Sequence, residues 1–369
     1  IVTRKMYVTG ACGALYDGTS PDGTCYEPDS IQKVHQSYGR PYQLPNSTAH
    51  NETCANIGNM LFNWRMLEVT GDAKYAELVE TCLYNSILSG ISLDGKKYFY
   101  TNPLRISADL PYTLRWPKER TEYISCFCCP PNTLRTLCQA QNYAYTLGSE
   151  GIYCNLYGAN TLTTNWRDKG EIALTQKTAY PWEGNVRVEF DRVPRKAGVF
   201  SLFLRIPEWC EKAMLTVNGE LVPVAAKANT YAEVKRTWKK GDVVEWVMDM
   251  PVRLLEAHPL AEEIRNQVVV KRGPLVYCLE SMDMRGGGSI DNVLIPADIK
   301  LIPKKVTIEG SPVVALEGKA RLISSNSWEG ILYRPVSFAG KTVDIRLIPY
   351  YAWGNRGKGE MTVWMPLGR

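Results

Sequence analysis

The sequence predicts a multidomain α plus β protein in which a helical bundle or helical barrel precedes β-sandwich units. Apolar residues recur every three or four positions before about residue 150, as in amphipathic helices, and every second position after it, as in strands. The chain has 369 residues, which at roughly 150 residues per domain corresponds to two or three domains. We therefore expect a helical part and a separate β part within one chain.

Three segments of the first part have helical spacing. Residues 49–69 place apolar side chains on one face and end at Gly71, which is typical of a helix C-terminus. Residues 73–89 repeat the pattern and end before Gly90. Two prolines precede a third segment, residues 132–147, and favour a helix start there. Helix pairs joined by short turns indicate a bundle or a helical barrel.

Strand patterns follow from residue 151 onward. They fall at residues 152–155, 187–190, 199–206, 214–217, 243–248, 267–270, 313–316 and 343–347. Asn218-Gly219 is a hairpin-turn signal between two of them. The sequence therefore predicts a helical part over residues 1–150 and a β-sandwich over residues 151–275. Residues 276–369 form either a second β-sandwich unit or further strands of the first sandwich.

Composition and charge narrow the class of protein. The net charge is +5, from 43 Lys and Arg against 38 Asp and Glu, and no basic block indicates a nucleic-acid partner. No apolar run approaches the roughly 18 residues of a membrane span. Tyr and Trp, at 21 and 10, outnumber the 7 Phe, a balance that suits sugar binding. The chain begins with Ile1 rather than Met, so we expect a piece of a longer protein, and the compartment stays open between cytoplasm and bacterial periplasm.

Eleven cysteines include a dense group at Cys126, Cys128 and Cys129, directly ahead of the third helix. A helix N-terminus favours the thiolate, the form that binds metal and attacks electrophiles. Zinc ligands are usually spaced more widely than adjacent cysteines, so buried structural cysteines or thiol redox chemistry are alternative interpretations. Glu52 and Cys54 strengthen the metal interpretation, because they would complete a zinc set of three cysteines and one glutamate. We expect His50 and His258 to be ordinary surface or packing residues rather than ligands.

At these residues the sequence resembles glycoside hydrolase family 127, the β-L-arabinofuranosidase family, and its relative family 146. The resemblance is carried by YVTGACG (7–13), YQLPNSTAHNETCA (42–55), ETCLYNSILSGISLDG (80–95), FYTNPL (99–104), CCPPN (128–132) and LRIPEWC (204–210). It implies the C-terminal part of an (α/α)6 helical barrel followed by β-sandwich, jelly-roll-like domains.

The resemblance also implies roles for individual residues. Cys128 would be the nucleophile of a retaining hydrolysis that passes through a thioglycosyl intermediate. Glu80 and Tyr100 would contact the sugar. Zinc would be the cofactor, held by Glu52, Cys54, Cys128 and Cys129.

One position departs from the family pattern. Gln36 stands where the family has its general acid/base glutamate, and an amide neither donates nor accepts a proton at neutral pH. We therefore place Gln36 among the substrate-binding residues. Three explanations stay open: Glu27 or His35 serves instead, a carboxylate on the substrate assists, or the protein is inactive. The acidic segment at residues 17–31, longer than the usual family connection, is expected to reshape the substrate site.

The substrate implied is a plant cell-wall oligosaccharide that carries β-L-arabinofuranose or a related pectic sugar such as aceric acid, a branched acidic furanose. Its carboxylate would account for both Gln36 and the small excess of positive charge. The alternative is a catalytically impaired, zinc-stabilised carbohydrate-binding protein of the same fold. Neither nucleic acid nor membrane is an expected partner, and a homo-oligomer is compatible with the sequence.

Overall fold

The computed structural model describes residues 1–18, 34–108, 110, 114, 116–323, 330–335 and 339–368. Its three α-helices are α1 (Thr53–Thr70), α2 (Ala73–Thr81) and α3 (Cys129–Gln139). Gly71, with φ of 67°, ends α1 in the left-handed conformation that glycine adopts freely. Asp72 then caps α2 by accepting a hydrogen bond from the Lys74 backbone amide at 3.1 Å. The first two predicted helices are thus confirmed near their predicted starts.

Two of the helix predictions need correction. The predicted helix over 73–89 changes at Cys82–Ile87 into a π-helix and then at Leu88–Gly90 into a 3-10 turn. The Asn85 amide in the π-helix donates to the carbonyl of Pro274 at 2.9 Å, so a contact distant in sequence holds this segment. The third helix ends early, because Tyr145–Leu147 forms a strand instead of its last turn.

Among the described residues, twenty-two strands make up most of the remaining regular secondary structure. In chain order they are β1 (Leu15–Gly18), β2 (Val34–Ser37), β3 (Arg105–Ile106), β4 (Tyr145–Leu147), β5 (Gly151–Cys154), β6 (Asn160–Asn165), β7 (Glu171–Thr178), β8 (Asn185–Arg192), β9 (Val199–Ile206), β10 (Ala213–Val217), β11 (Glu220–Val222), β12 (Thr230–Thr237), β13 (Val243–Met248), β14 (Val252–Glu256), β15 (Gln267–Arg272), β16 (Leu275–Met284), β17 (Val293–Pro296), β18 (Ile302–Ile308), β19 (Ser311–Ile323), β20 (Gly340–Pro349), β21 (Met361–Thr362) and β22 (Met365–Gly368).

The middle of the chain forms two sheets that share one core. A six-stranded sheet has the order β11-β10-β13-β8-β7-β6, and a four-stranded sheet has the order β12-β9-β5-β4. Inward-facing residues of both sheets, among them the fully buried Trp246, pack into a single apolar cluster together with Trp209. Alternation of buried and exposed residues along β8 and β13 follows from this arrangement, since only one face of each strand is covered. The two sheets therefore cover one shared core between them.

The C-terminal strands differ from the predicted second sandwich. They form one sheet of order β14-β15-β22-β17-β19-β20-β16-β21-β3, with β18 on β19. An additional pairing of β15 with β16 closes six of the strands into a ring. Val268 and Val270 face the core inside the ring, whereas Val269 faces the first 106 residues on the outside. Burial on both faces explains why the sequence runs continuously apolar here rather than alternating.

Several contacts join the helical part to the C-terminal sheet. Strand β3 pairs antiparallel with β21. The Tyr350 hydroxyl donates to the Pro103 carbonyl at 2.9 Å, and the buried Arg120 guanidinium donates to the Tyr351 carbonyl at 3.2 Å. The fold shown is thus a multidomain α/β arrangement with extensive contact between its parts, and the described helices do not by themselves show an (α/α)6 barrel. In the part of the chain that the structure describes, no helix is long and apolar enough to cross a membrane.

Gly151 lies where β5 runs parallel to β9, and we expect its replacement by alanine to destabilise the sandwich. The added Cβ would lie 1.9 Å from the Ser201 carbonyl oxygen, so the two strands would have to separate. A cost of about 1–3 kcal/mol in unfolding free energy is expected, measured by urea unfolding. Gly158→Ala is the matched control, because its Cβ would meet nothing within 4 Å. Equal unfolding free energies for the two variants would contradict this account.

Candidate metal and cysteine site

Two helix N-termini converge on four potential metal ligands. Glu52 is the N-cap of α1 and Cys54 lies in its first turn; Cys128 is the N-cap of α3 and Cys129 is its first residue. One ligand atom from each lies within 4.8 Å of the others. The partial positive charge of a helix N-terminus favours negatively charged side chains, so both helices stabilise thiolate and carboxylate at this point. The predicted set of four residues is therefore brought together.

Four of the six distances among these ligands match tetrahedral coordination of a metal ion. Cys129 Sγ lies 3.6 Å from Cys54 Sγ and 3.7 Å from Cys128 Sγ. Glu52 Oε1 lies 3.5 Å from Cys128 Sγ and 3.9 Å from Cys129 Sγ. Tetrahedral zinc with Zn–S of about 2.3 Å and Zn–O of about 2.1 Å requires roughly 3.8 Å between sulfurs and roughly 3.6 Å between sulfur and oxygen. The donor set thus fits zinc in both composition and spacing.

The three thiols influence one another's protonation. Hydrogen bonding with Cys129 lowers the pKa of Cys54 to about 7, against the opposing effect of burial. Burial and hydrogen bonding with Cys54 raise the pKa of Cys128 to about 12, and contact with Cys54 together with burial also raises the pKa of Cys129. Crowded sulfurs cannot all carry negative charge without a compensating cation. A divalent metal would supply that charge and displace the protons.

Glu52 also has a histidine neighbour, His50, for which the sequence predicted only an ordinary surface or packing role. His50 Nε2 lies 3.8 Å from Glu52 Oε2, and both side chains are buried. Burial on its own raises the pKa of Glu52, but hydrogen bonds from His50 and Cys128 outweigh it and lower the pKa overall. Asn51 between them has φ of 38°, an unusual value outside glycine. The separation of two residues in sequence was the only signal that could have linked His50 to the site.

Tyr100 and Gln36 lie beside the same cluster. The Gln36 amide donates to the Tyr100 hydroxyl at 3.0 Å. The Tyr100 ring stacks on Trp116 with centroids 3.7 Å apart and an angle of 12°. Burial and the negative charge of Glu52 raise the pKa of Tyr100, so its hydroxyl keeps its proton as a donor. Gln36 is exposed whereas Tyr100 is 6% exposed. The aromatic platform provided by Trp116 was not predicted from the sequence.

Glu80 lies in a different environment from the one predicted. Its side chain has no exposed surface, and its Oε1 lies 2.6 Å from the guanidinium of Arg205 on β9. Glu77 accepts from the same guanidinium at 2.5 Å. Burial raises the pKa of Glu80 to about 7, with Arg205 opposing the shift. Glu80 therefore lies in a buried ion pair between α2 and the sandwich, and its predicted sugar contact stays a prediction.

Of the other residues singled out in the sequence, some lie outside the described structure and one lies away from the cysteines. Glu27 lies outside the described residues, as does most of the segment 17–31, and the side chain of His35 is not described. His258 stacks on Tyr42 at 4.4 Å between ring centroids, away from the cysteines, in agreement with a packing role. Ten cysteines are described, and all of them are free thiols.

Fold and site together define a multidomain α/β protein with a cysteine-rich centre suited to a metal ion. Models of the β-L-arabinofuranosidase family match the chain in three consecutive parts: the glycoside hydrolase family 127 catalytic domain over residues 1–142, the middle domain over 151–250 and the C-terminal domain over 252–366. The chain therefore belongs to glycoside hydrolase family 127.

Individual relatives agree with this assignment. The chain is 31% identical to a non-reducing end β-L-arabinofuranosidase of Bifidobacterium longum subsp. longum, over 99% of the chain and 54% of that protein. A solved structure described as a glycoside hydrolase is 89% identical, with a TM-score of 0.97 over 100% of this chain and 61% of that one. A family 127 β-L-arabinofuranosidase from Geobacillus stearothermophilus T6 is 37% identical, with a TM-score of 0.85 over 99% and 55%. The chain thus spans between about half and three fifths of the length of these relatives.

Proposed function

We propose that the protein is a retaining glycoside hydrolase that releases a furanose sugar, with Cys128 as the nucleophile. The observation that supports this most is the tetrahedral spacing of Glu52, Cys54, Cys128 and Cys129, in the part of the chain that matches the family's catalytic domain. The half-buried Cys128 is more accessible than Cys129, which is 0% exposed, so Cys128 is the sulfur of this pair that a bound sugar could approach.

The proposed reaction has two displacements. Cys128 Sγ forms a bond to the anomeric carbon while the glycosidic C–O bond breaks, and the departing oxygen takes up a proton. Water then attacks the same carbon and gives up a proton, which balances the proton taken up in the first step. The C–S bond breaks and the thiolate is restored, so the configuration is retained. When bound by the four ligands, zinc supplies positive charge that stabilises thiolate sulfur. The Asn132 amide, which donates to Cys54 Sγ at 2.9 Å, helps to fix the ligand cluster.

We propose a pectic furanose as the sugar, either β-L-arabinofuranose or an acidic relative such as aceric acid. Gln36 supports the acidic relative, because its neutral amide adds no negative charge beside Tyr100 and can donate to a carboxylate. The departing oxygen could then receive its proton with help from the substrate's own carboxyl group. A screen of plant cell-wall oligosaccharides for released monosaccharides tests the proposal. Release of neither sugar would contradict it.

Gln36→Glu is expected to weaken the use of an acidic substrate. A carboxylate at this position would repel the carboxylate of the sugar, so kcat/KM for aceric-acid linkages should fall at least about tenfold relative to arabinofuranosides. The measurement is the ratio of the two rates. Gln141→Glu, the same change at an exposed position away from the site, should leave the ratio unchanged. If Gln36→Glu left the ratio unchanged as well, Gln36 would not determine specificity.

We also expect the cluster of Glu52, Cys54, Cys128 and Cys129 to bind a metal ion. We expect about one zinc ion per chain by elemental analysis, and a lower unfolding temperature after treatment with a strong chelator. Cys129→Ala should lose the metal, because Cys129 is the fully buried sulfur that contacts both other thiols. Cys154→Ala removes an equally buried thiol outside the cluster and should retain the metal. Full zinc occupancy in Cys129→Ala would rule out the ligand assignment.

Gln36 also favours a second candidate, a zinc-stabilised carbohydrate-binding protein that retains the family fold without turnover. Sugar binding by calorimetry with no product released, in protein shown to contain zinc, would support this candidate against the hydrolase. A plant cell-wall oligosaccharide is the proposed ligand in either case.

We also propose that α1, α2 and α3 belong to an (α/α)6 barrel. The chain would then divide into three parts, with the barrel part at residues 1–150 and the β parts at residues 151–275 and 276–369. The match of residues 1–142 to the family's catalytic domain supports the first part. Pairing of β15 with β16 crosses residue 275, which favours moving the last boundary toward Val252.

A further inference from the structure

We propose that Cys126 is a redox-sensitive partner of Cys128, and that mild oxidation joins the two sulfurs in a reversible disulfide that disables the site. Formation of this bond requires two neighbouring thiols and an oxidant, and it does not depend on the proposed function. Its effect on hydrolysis rests on the proposed function, in which Cys128 is the nucleophile.

The geometry of residues 126–128 places the two sulfurs close together. Cys126 Sγ lies 4.0 Å from Cys128 Sγ, and the Cys128 amide donates to the Cys126 carbonyl at 3.0 Å in a tight turn. Phe127 between them is 67% exposed and points away from the interior. A disulfide needs about 2.05 Å between sulfurs. Because Cys126 lies in a bend outside any helix or strand, side-chain rotation can close the gap without breaking a helix or ladder hydrogen bond.

Cys126 differs from its neighbours in being accessible and outside the ligand set. Cys54, Cys128 and Cys129 are all potential metal ligands, and Cys129 is completely buried. Cys126 is exposed, so an oxidant in solution can reach it first. The other exposed thiol among the described residues, Cys138, lies on α3 ten residues further along, and no sulfur contact is found for it in the described structure.

The chemistry requires an oxidant, which we take to be a peroxide or a low-molecular-weight disulfide. A peroxide converts the Cys126 thiol to sulfenic acid and is itself reduced to the alcohol or water. Cys128 sulfur then attacks the Cys126 sulfur, a disulfide forms and water leaves. A small disulfide gives the same product by exchange and releases two thiols. The bonded Cys128 sulfur is no longer a thiolate, so both attack on a sugar and metal binding are weakened, and an added dithiol reverses the step.

The test uses the purified zinc-containing protein, titrated with hydrogen peroxide or glutathione disulfide and then alkylated. Trypsin releases residues 121–135, which contain Cys126, Cys128 and Cys129, and after alkylation one disulfide leaves this peptide with one alkyl group instead of three. Chymotryptic cleavage after Phe127 then discriminates between pairings. The two fragments stay joined only if Cys126 is bonded to Cys128 or Cys129, and fragmentation of the joined pair locates the bond.

We expect a joined pair with the bond at Cys128 that dithiothreitol separates, together with release of zinc to a colorimetric indicator. Cys126→Ser should form no such pair, and Cys138→Ser should behave as the wild type. A Cys128–Cys129 disulfide, direct oxidation of Cys128 to sulfinic acid without a disulfide, or equal reversible thiol loss in Cys126→Ser would each overturn the proposal.

Activity provides a separate measurement. If the reduced protein hydrolyses furanosides, oxidation should reduce the rate in proportion to the fraction of disulfide, and Cys126→Ser should resist this loss. If the reduced protein hydrolyses none, the proposed function fails, while the mass measurement still decides whether the disulfide forms.

Discussion

Replacement of Cys128 by serine is expected to lower kcat/KM for furanoside hydrolysis by roughly 10³-fold or more, as for other nucleophile deletions. A serine hydroxyl is smaller and far less acidic than a thiol, so it neither attacks the anomeric carbon effectively nor replaces sulfur as a metal ligand. The fold should persist, because Cys128 is only the N-cap of α3 and makes no capping hydrogen bond with its side chain. Initial rates on a chromogenic aryl furanoside and thermal unfolding measure the two effects.

Two controls separate a catalytic role for Cys128 from a structural one. Cys138→Ser makes the same substitution on an exposed residue of α3 and should retain full activity. Zinc content should be measured in both variants, since loss of metal alone could reduce the rate. Wild-type activity in Cys128→Ser would eliminate Cys128 as the nucleophile. Loss of zinc and stability, with no activity in the wild type to lose, would favour the binding protein instead.

Arg205→Met should destabilise the fold by about 3–5 kcal/mol, the usual cost of breaking a buried ion pair. Arg205 has no exposed surface and contacts the carboxylates of Glu77 and Glu80 on α2. Without it, these two buried carboxylates must share protons or attract water. Urea unfolding followed by circular dichroism measures the loss. Arg253→Met, which breaks a more exposed pair with Glu208, should cost about 1 kcal/mol or less.

A compensating variant tests whether unpaired charge is the cause. If Glu77→Gln and Glu80→Met are added to Arg205→Met, the buried charges disappear together, and much of the lost stability should return. No recovery in this triple variant would show that Arg205 contributes mainly through packing and its other contacts, which include a hydrogen bond to the Asn155 carbonyl at 2.5 Å.

Structural features could be predicted from the sequence where the interacting residues lie close together along the chain, and could not where they are far apart. The end of α1 followed from Gly71, a local signal. The four potential metal ligands could be grouped because they occur as two short pairs and resemble a known family motif. The π-helix could not be predicted, because Asn85 bonds to Pro274, 189 residues away. The burial of Glu80 against Arg205 could not be predicted for the same reason, since Arg205 lies on a strand of the sandwich.

Near the cysteine cluster, the contact between Gln36 and Tyr100 also joins residues distant in sequence. The substitution at Gln36 was visible in the sequence, but its hydrogen-bond partner was not. The strand Tyr145–Leu147 was predicted as helix because its apolar residues fit either period over such a short length. Its antiparallel pairing with β5 decides the conformation.

Strand β3 has a consequence for how this family can evolve. It consists of two residues, and it adds to the edge of the C-terminal sheet from within the first 106 residues of the chain. A gene that lost the region from residue 252 onward would remove the strand that pairs with β3, one acceptor of the Asn85 amide and one acceptor of the buried Arg120 guanidinium. The C-terminal region is therefore not an independent module that can be exchanged or lost by itself. We expect the C-terminal sheet and the helical part to be gained or lost together in evolution.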